Sequence, residues 1–431
     1  MQIGKGVCIT DEARQEALQA IAANKAEILR NNPNAFQKRG GHPLFILPIR
    51  AKAGFDDYGY YTLNNQVDHN LTPNNNLEDY NCAQRTYDWA SGNHGGTDYI
   101  LWPYPWTKME DEIMEIIAAA EGTIIDKRDG NFDLNCVNNG NPNWNGIIIE
   151  HADGSQAWYW HFKDGAITAK GIGDTVAAGE YLGAAGSSGS SDWPHLHFEV
   201  FDTNGDRIDP YAGPCNDMNP DSWWVSQPDY FIPTINRIST HSGYDYFEDC
   251  PNEEITYGKL NFEEGELMVF RVFYRDLQEG SNTDFTIYDP NGNVFISFTW
   301  TANFGQDYAT SWAHFGYTVD NTWLDGVYTL EAVFGGNTYE TIFGVNTNLG
   351  VEDMAQTEIA LYPNPTMDRV FIETNAPIEN VEVFDIFGRN VLEVSPLAEK
   401  TELNLSNLKT GIYVAIISSE GKKSIKKIVK E

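Results

Sequence analysis

Trp193-Pro194-His195-Leu196-His197-Phe198-Glu199-Val200 is the stretch on which the reading of this chain turns. Alternation with a period of two marks a β-strand, with His195, His197 and Glu199 on one face and Leu196, Phe198 and Val200 on the other. The apolar face belongs to a core. Two imidazoles side by side would repel if both were protonated, so a metal or a buried polar network is the natural reason to place them there. A solvated surface pair is the alternative.

Two neighbouring motifs extend this polar face. In Asn93-His94-Gly95-Gly96-Thr97-Asp98 a histidine and a carboxylate four residues apart could meet one metal from a turn that two glycines make flexible. Gly146-Ile147-Ile148-Ile149-Glu150-His151 and Trp158-Tyr159-Trp160-His161 read as two strands around an Asp153-Gly154 turn, a hairpin that delivers His161. His42, His69, His151, His241 and His314 lack such settings and are assigned to surface or packing roles. His151 is the nearest rival, as a support to the site, but a solvated strand end is the reading adopted. Nine of the twelve tryptophans lie between Trp89 and Trp224, mostly as core, and Trp193 is the one expected to touch a ligand.

At 431 residues the chain needs about two to four domains. Residues Asp11 to Arg30 read as a helix stopped by Asn31-Asn32-Pro33, within a leader or propeptide remnant spanning 1–41. From 42 to 229 short apolar runs split by Gly, Asn and Asp indicate strands, with one helical insertion from Lys108 to Ala120. Residues 233–346 read as an immunoglobulin-like sandwich serving as spacer or binding module, with turns at Asp289-Pro290-Asn291-Gly292 and Gly335-Gly336-Asn337. A polar linker over 347–357 precedes a small strand-rich unit over 358–431. The expected fold class is therefore mainly β, with antiparallel sheets and a helical N-terminus. Asp202-Thr203-Asn204-Gly205-Asp206 lacks a calcium loop's final glutamate and reads as a hairpin turn.

Net charge is -34, from 62 acidic against 28 basic residues, which disfavours nucleic acid and anionic lipid as partners. No apolar run reaches the roughly 18 residues of a membrane helix. The N-terminus lacks a basic start and an apolar stretch, so a secretory signal has been removed or truncated, or the protein stays inside. Of five cysteines, proximity along the chain pairs Cys82 with Cys136 and Cys215 with Cys250, leaving Cys8 odd.

The order of motifs over about 42–215 resembles the M23 family of lysostaphin-like zinc endopeptidases. The resemblance rests on His94-x-x-x-Asp98, the aromatic-x-His at Tyr159 to His161, the run Gly173 to Glu180, the loop Gly186-Ser187-Ser188-Gly189 and His-Leu-His-Phe-Glu at 195–199. It implies an antiparallel β-sheet metallopeptidase domain with one zinc ion on His94, Asp98 and His197. It also implies catalytic roles for His161 and His195. Trp193, Tyr159 and Asn93, beside these residues, are the candidate substrate contacts. Ser191-Asp192-Trp193-Pro194 departs from the small residues usual before the last motif, and a long insertion separates Asp98 from Gly146; both affect the cleft rather than the chemistry.

Leu361-Tyr362-Pro363-Asn364-Pro365, Val383 to Arg389 and Gly411-Ile412-Tyr413-Val414, with a lysine-rich end, resemble the C-terminal sorting domain of the type IX secretion system of Bacteroidetes. That resemblance implies a small β-sandwich, the type IX machinery as partner, and a secreted or cell-surface location with the signal already removed. The expectation is a secreted zinc endopeptidase acting on peptidoglycan stems or cross-bridges, or on glycine-rich extracellular proteins. A non-catalytic cell-wall-binding module on the same fold is the competing class. Whether residues 1–41 inhibit, and whether Cys8 caps the zinc, stays open at this point.

Overall fold

The computed structural model describes residues 9–36, 40–70, 76–89, 92–244, 254–347, 349, 360–364, 366–385, 390–409, 411–419 and 422–430. Cys8, Cys250, Pro365, Ile386 to Arg389 and most of the expected linker lie outside them. The chain forms two compact units, Met1–Asn346 and Thr347–Glu431.

An antiparallel sheet of eight strands organises the first unit. Its order is Thr175–Val176, Gly122–Arg128, Gly146–Glu150, Gln156–Trp160, His195–Phe201, Thr97–Leu101 and Tyr61–Asn65, with Arg207–Ile208 also on His195–Phe201. Alternation along these strands gives the sheet two buried faces. Ile147, Ile149, Tyr159, Leu196, Phe198 and Val200 enter the larger core, beneath a second sheet of Ile49–Ala51, Met114–Ile117, Tyr181–Ala185 and Phe162–Ile167. Ile148, Trp158 and Trp160 point the other way, into a smaller core. The expected hairpin is present, with Ile148 opposite Trp158 across the turn at Asp153-Gly154.

The smaller core is closed by the helix Asp11–Asn31. Thr10 caps it by accepting from the Ala13 N–H at 3.1 Å, and Asp11 and Glu12 suit its first turn. It ends at Asn32, which is extended because Pro33 follows. Ala13, Ala17 and Ile21, four residues apart, form its buried stripe against Ile125, Ile148 and Trp158. The helix is as expected, but it is packed into the sheet rather than lying outside the domain assigned to 42–229.

The helix expected over Lys108 to Ala120 is mostly absent. Only Pro105–Glu110 is helical, Glu112 has φ 57°, and Met114–Ile117 is a strand between Ile49–Ala51 and Tyr181–Ala185. Met114 and Ile116 are both fully buried there, so pairing on two sides overrides the helical spacing.

Residues 234–345 form a sandwich of a three-stranded and a five-stranded sheet around a shared core that includes Phe270, Phe285 and Tyr328. Gly335 and Gly336, both at positive φ, make the two-residue turn joining Gly326–Phe334 to Asn337–Val345. This sandwich is fastened to the first sheet. The Asn236 side chain donates to both Tyr61 O and Trp102 O at 2.9 Å, and the Trp102 indole N–H donates to Tyr274 O at 3.0 Å. Trp102, Tyr104 and Phe273 bury a common aromatic cluster there. In the second unit, Arg369–Asp385 pairs with Ala360–Tyr362, Asn390–Val394, Ala398–Asn404 and Gly411–Ser419, and Lys422–Lys430 completes the sheet.

The expected cysteine pairing is not the one found: Cys82 bonds Cys215, and Cys136 is disulfide-bonded elsewhere. Nearness along the chain is a poor guide in an antiparallel fold, where the Cys215 N–H donates to Tyr80 O at 3.0 Å and brings two distant loops together. The bond closes 133 residues of chain, so the double substitution Cys82→Ser/Cys215→Ser should lower unfolding free energy by about 2–4 kcal/mol in urea titrations. An unchanged midpoint would mean the loops are held without it.

Candidate metal centre

His195–Phe201 presents His195, His197 and Glu199 on the face opposite the main core. Its register places Asp98 directly across from His197 on one side and Trp160 on the other. His94 comes from the turn preceding Thr97–Leu101. The two glycines of that turn are there for space. A Cβ on Gly96 would lie 2.7 Å from His197 Nε2, and one on Gly95 would lie 2.6 Å from Glu199 Oε1.

The His94 ring stacks on Tyr87, with centroids 4.4 Å apart, and its Nδ1–H donates to Gln66 O at 2.7 Å. His197 donates from Nε2–H to Glu199 Oε1 at 3.2 Å. Both outward contacts fix a tautomer, and both leave a lone pair pointing inward. His94 Nε2 and His197 Nδ1 are then 3.3 Å apart, and Asp98 oxygens stand 3.1 Å from the first and 2.8 Å from the second. Asp98 is steadied by the Asn65 amide, which donates at 2.9 Å. Among the described residues this trio is the one group of three or more His, Cys, Asp or Glu side chains able to hold a metal ion, with ligand atoms within 4.8 Å of one another. Two imidazole lone pairs and a carboxylate converging in a dry site repel one another unless a cation lies between them, so the donor set fits a zinc ion.

His161 and His195 stand beside the trio, their ring centroids 4.6 Å apart. His161 Nδ1–H donates to Ser188 O at 2.6 Å and His195 Nδ1–H donates to Trp193 O at 2.6 Å, so each keeps its lone pair on Nε2. Gly186 ties the two backbones together, donating from N–H to His161 O at 2.8 Å and accepting from the His195 N–H at 3.0 Å. His161 also has φ 69°, a left-handed conformation that costs about 1–3 kcal/mol and persists where surrounding bonds over-determine it. Burial first, then His195 and His197, holds His161 well below the ordinary histidine range. Burial lowers His195 too, against the pull of Asp98. Both shifts favour the neutral ring, the state a proton acceptor requires.

Trp193, Tyr159 and Asn93 fare differently. Trp193 is half-buried and stacks on Trp102, with centroids 6.3 Å apart, at the joint with the sandwich. Tyr159 is fully buried in the main core, where its hydroxyl accepts from the Ala119 N–H at 2.8 Å; it does not face the site, because it lies one residue out of phase with Trp160. Asn93 is half-buried and donates to Asn70 O. His151 donates to Glu121 O at 2.7 Å and meets Phe45, away from the metal trio. Two supporting residues carry no assigned role in the sequence reading: Gln66, which has no local signal, and Glu199, whose place on the histidine face is the signal. Glu199 is buried, yet Arg14 and Arg207 hold its carboxylate well below the ordinary range despite that burial.

Two family models match the chain. Peptidase family M23 matches residues 108–210, which include His161, His195 and His197 and begin after His94 and Asp98. Secretion system C-terminal sorting domain matches residues 360–431. No curated relative matches. Among solved structures, the catalytic domain of the antimicrobial peptidase lysostaphin from Staphylococcus simulans is similar at 25% identity. That match covers 37% of this chain and 89% of that one, with a TM-score of 0.21. A mutant catalytic domain of the prophage-encoded M23 protein EnpA from Enterococcus faecalis is similar at 24% identity over 39% and 94%, with a TM-score of 0.22. A zinc containing peptidase from Vibrio cholerae is similar at 21% identity over 40% and 41%, with a TM-score of 0.24. The chain thus carries a family M23 peptidase segment and a secretion sorting domain. It is a secreted or cell-surface peptidase, and no helix among its described residues is long and apolar enough to cross a membrane.

Placing Tyr159 in the core has a measurable consequence. Tyr159→Phe should leave the Ala119 N–H unsatisfied and lower unfolding free energy by about 1–3 kcal/mol, with the Michaelis constant for a peptide substrate unchanged. Full stability with a raised Michaelis constant would return Tyr159 to the substrate.

Proposed function

We propose that this protein is a zinc-dependent endopeptidase that hydrolyses peptide bonds, with peptidoglycan stems or cross-bridges as the leading substrate and glycine-rich extracellular proteins second. The observation that carries the reading is the convergence of His94 Nε2, an Asp98 oxygen and His197 Nδ1 beside two further imidazoles that both keep Nε2 unprotonated. His94, Asp98 and His197 would hold one ion, as two neutral imidazoles and one carboxylate, leaving a net positive charge and a fourth position for water. When bound, zinc lowers the pKa of a water and polarises a carbonyl.

His161 and His195 do the proton work. Either Nε2 can take the proton of the attacking water, and the resulting imidazolium can return it to the leaving amine. The other ring can stabilise the negative charge that develops on the carbonyl oxygen only in its protonated form, when its Nε2–H becomes a donor. The carbonyls of Ser188 and Trp193 keep both rings oriented throughout. Export through the type IX machinery follows from the sorting domain at 360–431.

The test is zinc content together with hydrolysis of purified peptidoglycan and of a pentaglycine peptide. Wild type is expected to carry one zinc and to cleave, and His197→Ala to lose both. His161→Ala and His195→Ala are expected to keep the zinc while losing about 10²–10⁴-fold in rate. Zinc without cleavage of either substrate would move the search to protein substrates; no zinc would favour a non-catalytic wall-binding module.

A further inference from the structure

The N-terminal helix reaches the metal centre. Arg14 lies on the helix face that carries Ala13 and Ala17, and its guanidinium forks onto Glu199, Nη1 to Oε2 and Nη2 to Oε1, both at 2.8 Å. The same Oε1 accepts the Nε2–H of His197 at 3.2 Å. The guanidinium is further located by the rings of Trp158 and Phe201, with its central carbon 5.7 Å from each centroid. Glu199 itself is 1% exposed. A carboxylate this deep needs a partner, and a two-pronged guanidinium fixes its plane as well as its charge. Arg207 is the other cation near it, at 3.8 Å and with a single nitrogen.

We propose that Arg14 is a positioning residue of the metal centre, acting through Glu199 to hold the His197 ring with Nδ1 toward Asp98 and His94. It touches neither metal nor substrate. Without the fork, Glu199 is drawn toward Arg207, and Oε1 leaves the line of the His197 Nε2–H. The helix Asp11–Asn31, which sequence patterning sets apart as a leader, is on this view a working part of the site. The inference rests on the zinc reading above.

The experiment is zinc affinity by chelator competition, alongside melting of the metal-free proteins, for wild type, Arg14→Met, Arg14→Lys, Glu199→Gln and the Arg14→Met/Glu199→Gln double variant. Arg14→Met is expected to bind zinc about 10-fold more weakly or worse, and Arg14→Lys, with charge but no fork, to fall between it and wild type. Because Arg14 acts through Glu199, the double variant should bind no more weakly than Glu199→Gln alone. Wild-type affinity in Arg14→Met overturns the proposal even if its metal-free melting temperature drops, since that is a purely structural role. Multiplied losses in the double variant also overturn it. Should Arg14→Met fail to fold, Arg14→Lys decides, and wild-type affinity there refutes the fork. A wild-type protein that binds no zinc at all would remove the metal reading and this inference together, whereas a wild-type protein that binds zinc isolates the fate of Arg14.

Discussion

A residue in the middle of a sheet has a neighbour in register on each side and no freedom to choose its face. His197 meets Asp98 on one side and Trp160 on the other, and Leu196 and Phe198 turn away from it into the main core. Each fully buried apolar side chain on that opposite face contributes about 1.5–3 kcal/mol, which anchors the register. A slip by one residue would send His195, His197 and Glu199 into the aliphatic core and Leu196 and Phe198 into the site. The geometry of the metal trio is therefore secured by residues that never touch it.

The polar side of the strand is secured in a different way. Four histidines each donate their outward N–H to a fixed acceptor: His94 to Gln66 O, His161 to Ser188 O, His195 to Trp193 O and His197 to Glu199. Three of the four acceptors are backbone carbonyls, which cannot rotate away. Such outer contacts set ring orientation before any ligand arrives, so little reorganisation is left for the reaction itself. The joined backbones of His161 and His195 through Gly186 add a further restraint.

Much of this was legible in the sequence where the signal is local. The alternation in His195–Val200, the Asp153-Gly154 hairpin and the Gly335-Gly336 turn are written in a few adjacent residues, and the structure brings His94, Asp98 and His197 together with His161 and His195 beside them. Signals that depend on tertiary pairing were not legible. Met114–Ile117 looks helical until two neighbouring strands claim it, Cys82 finds Cys215 across a large span of chain, and Tyr159 is moved off the site by a single step of phase. Arg14 is the extreme case, since 185 positions separate it from Glu199 and nothing in its neighbourhood marks it. Gly95 and Gly96 were noticed for the wrong property: they serve the close approach of His197 and Glu199 more than they serve flexibility.

The helix also bears on how the protein tolerates trimming. Its stripe of Ala13, Ala17 and Ile21 is the lid of the smaller core, and the floor of that core is Ile125, Ile148, Trp144, Trp158 and Trp160. A protease that clipped the chain near residue 41 and let the helix go would bare a tryptophan-rich patch on the sheet's site-bearing face. Patches of that kind recruit other chains. Shortening this protein from its N-terminus would thus leave it more self-adhesive.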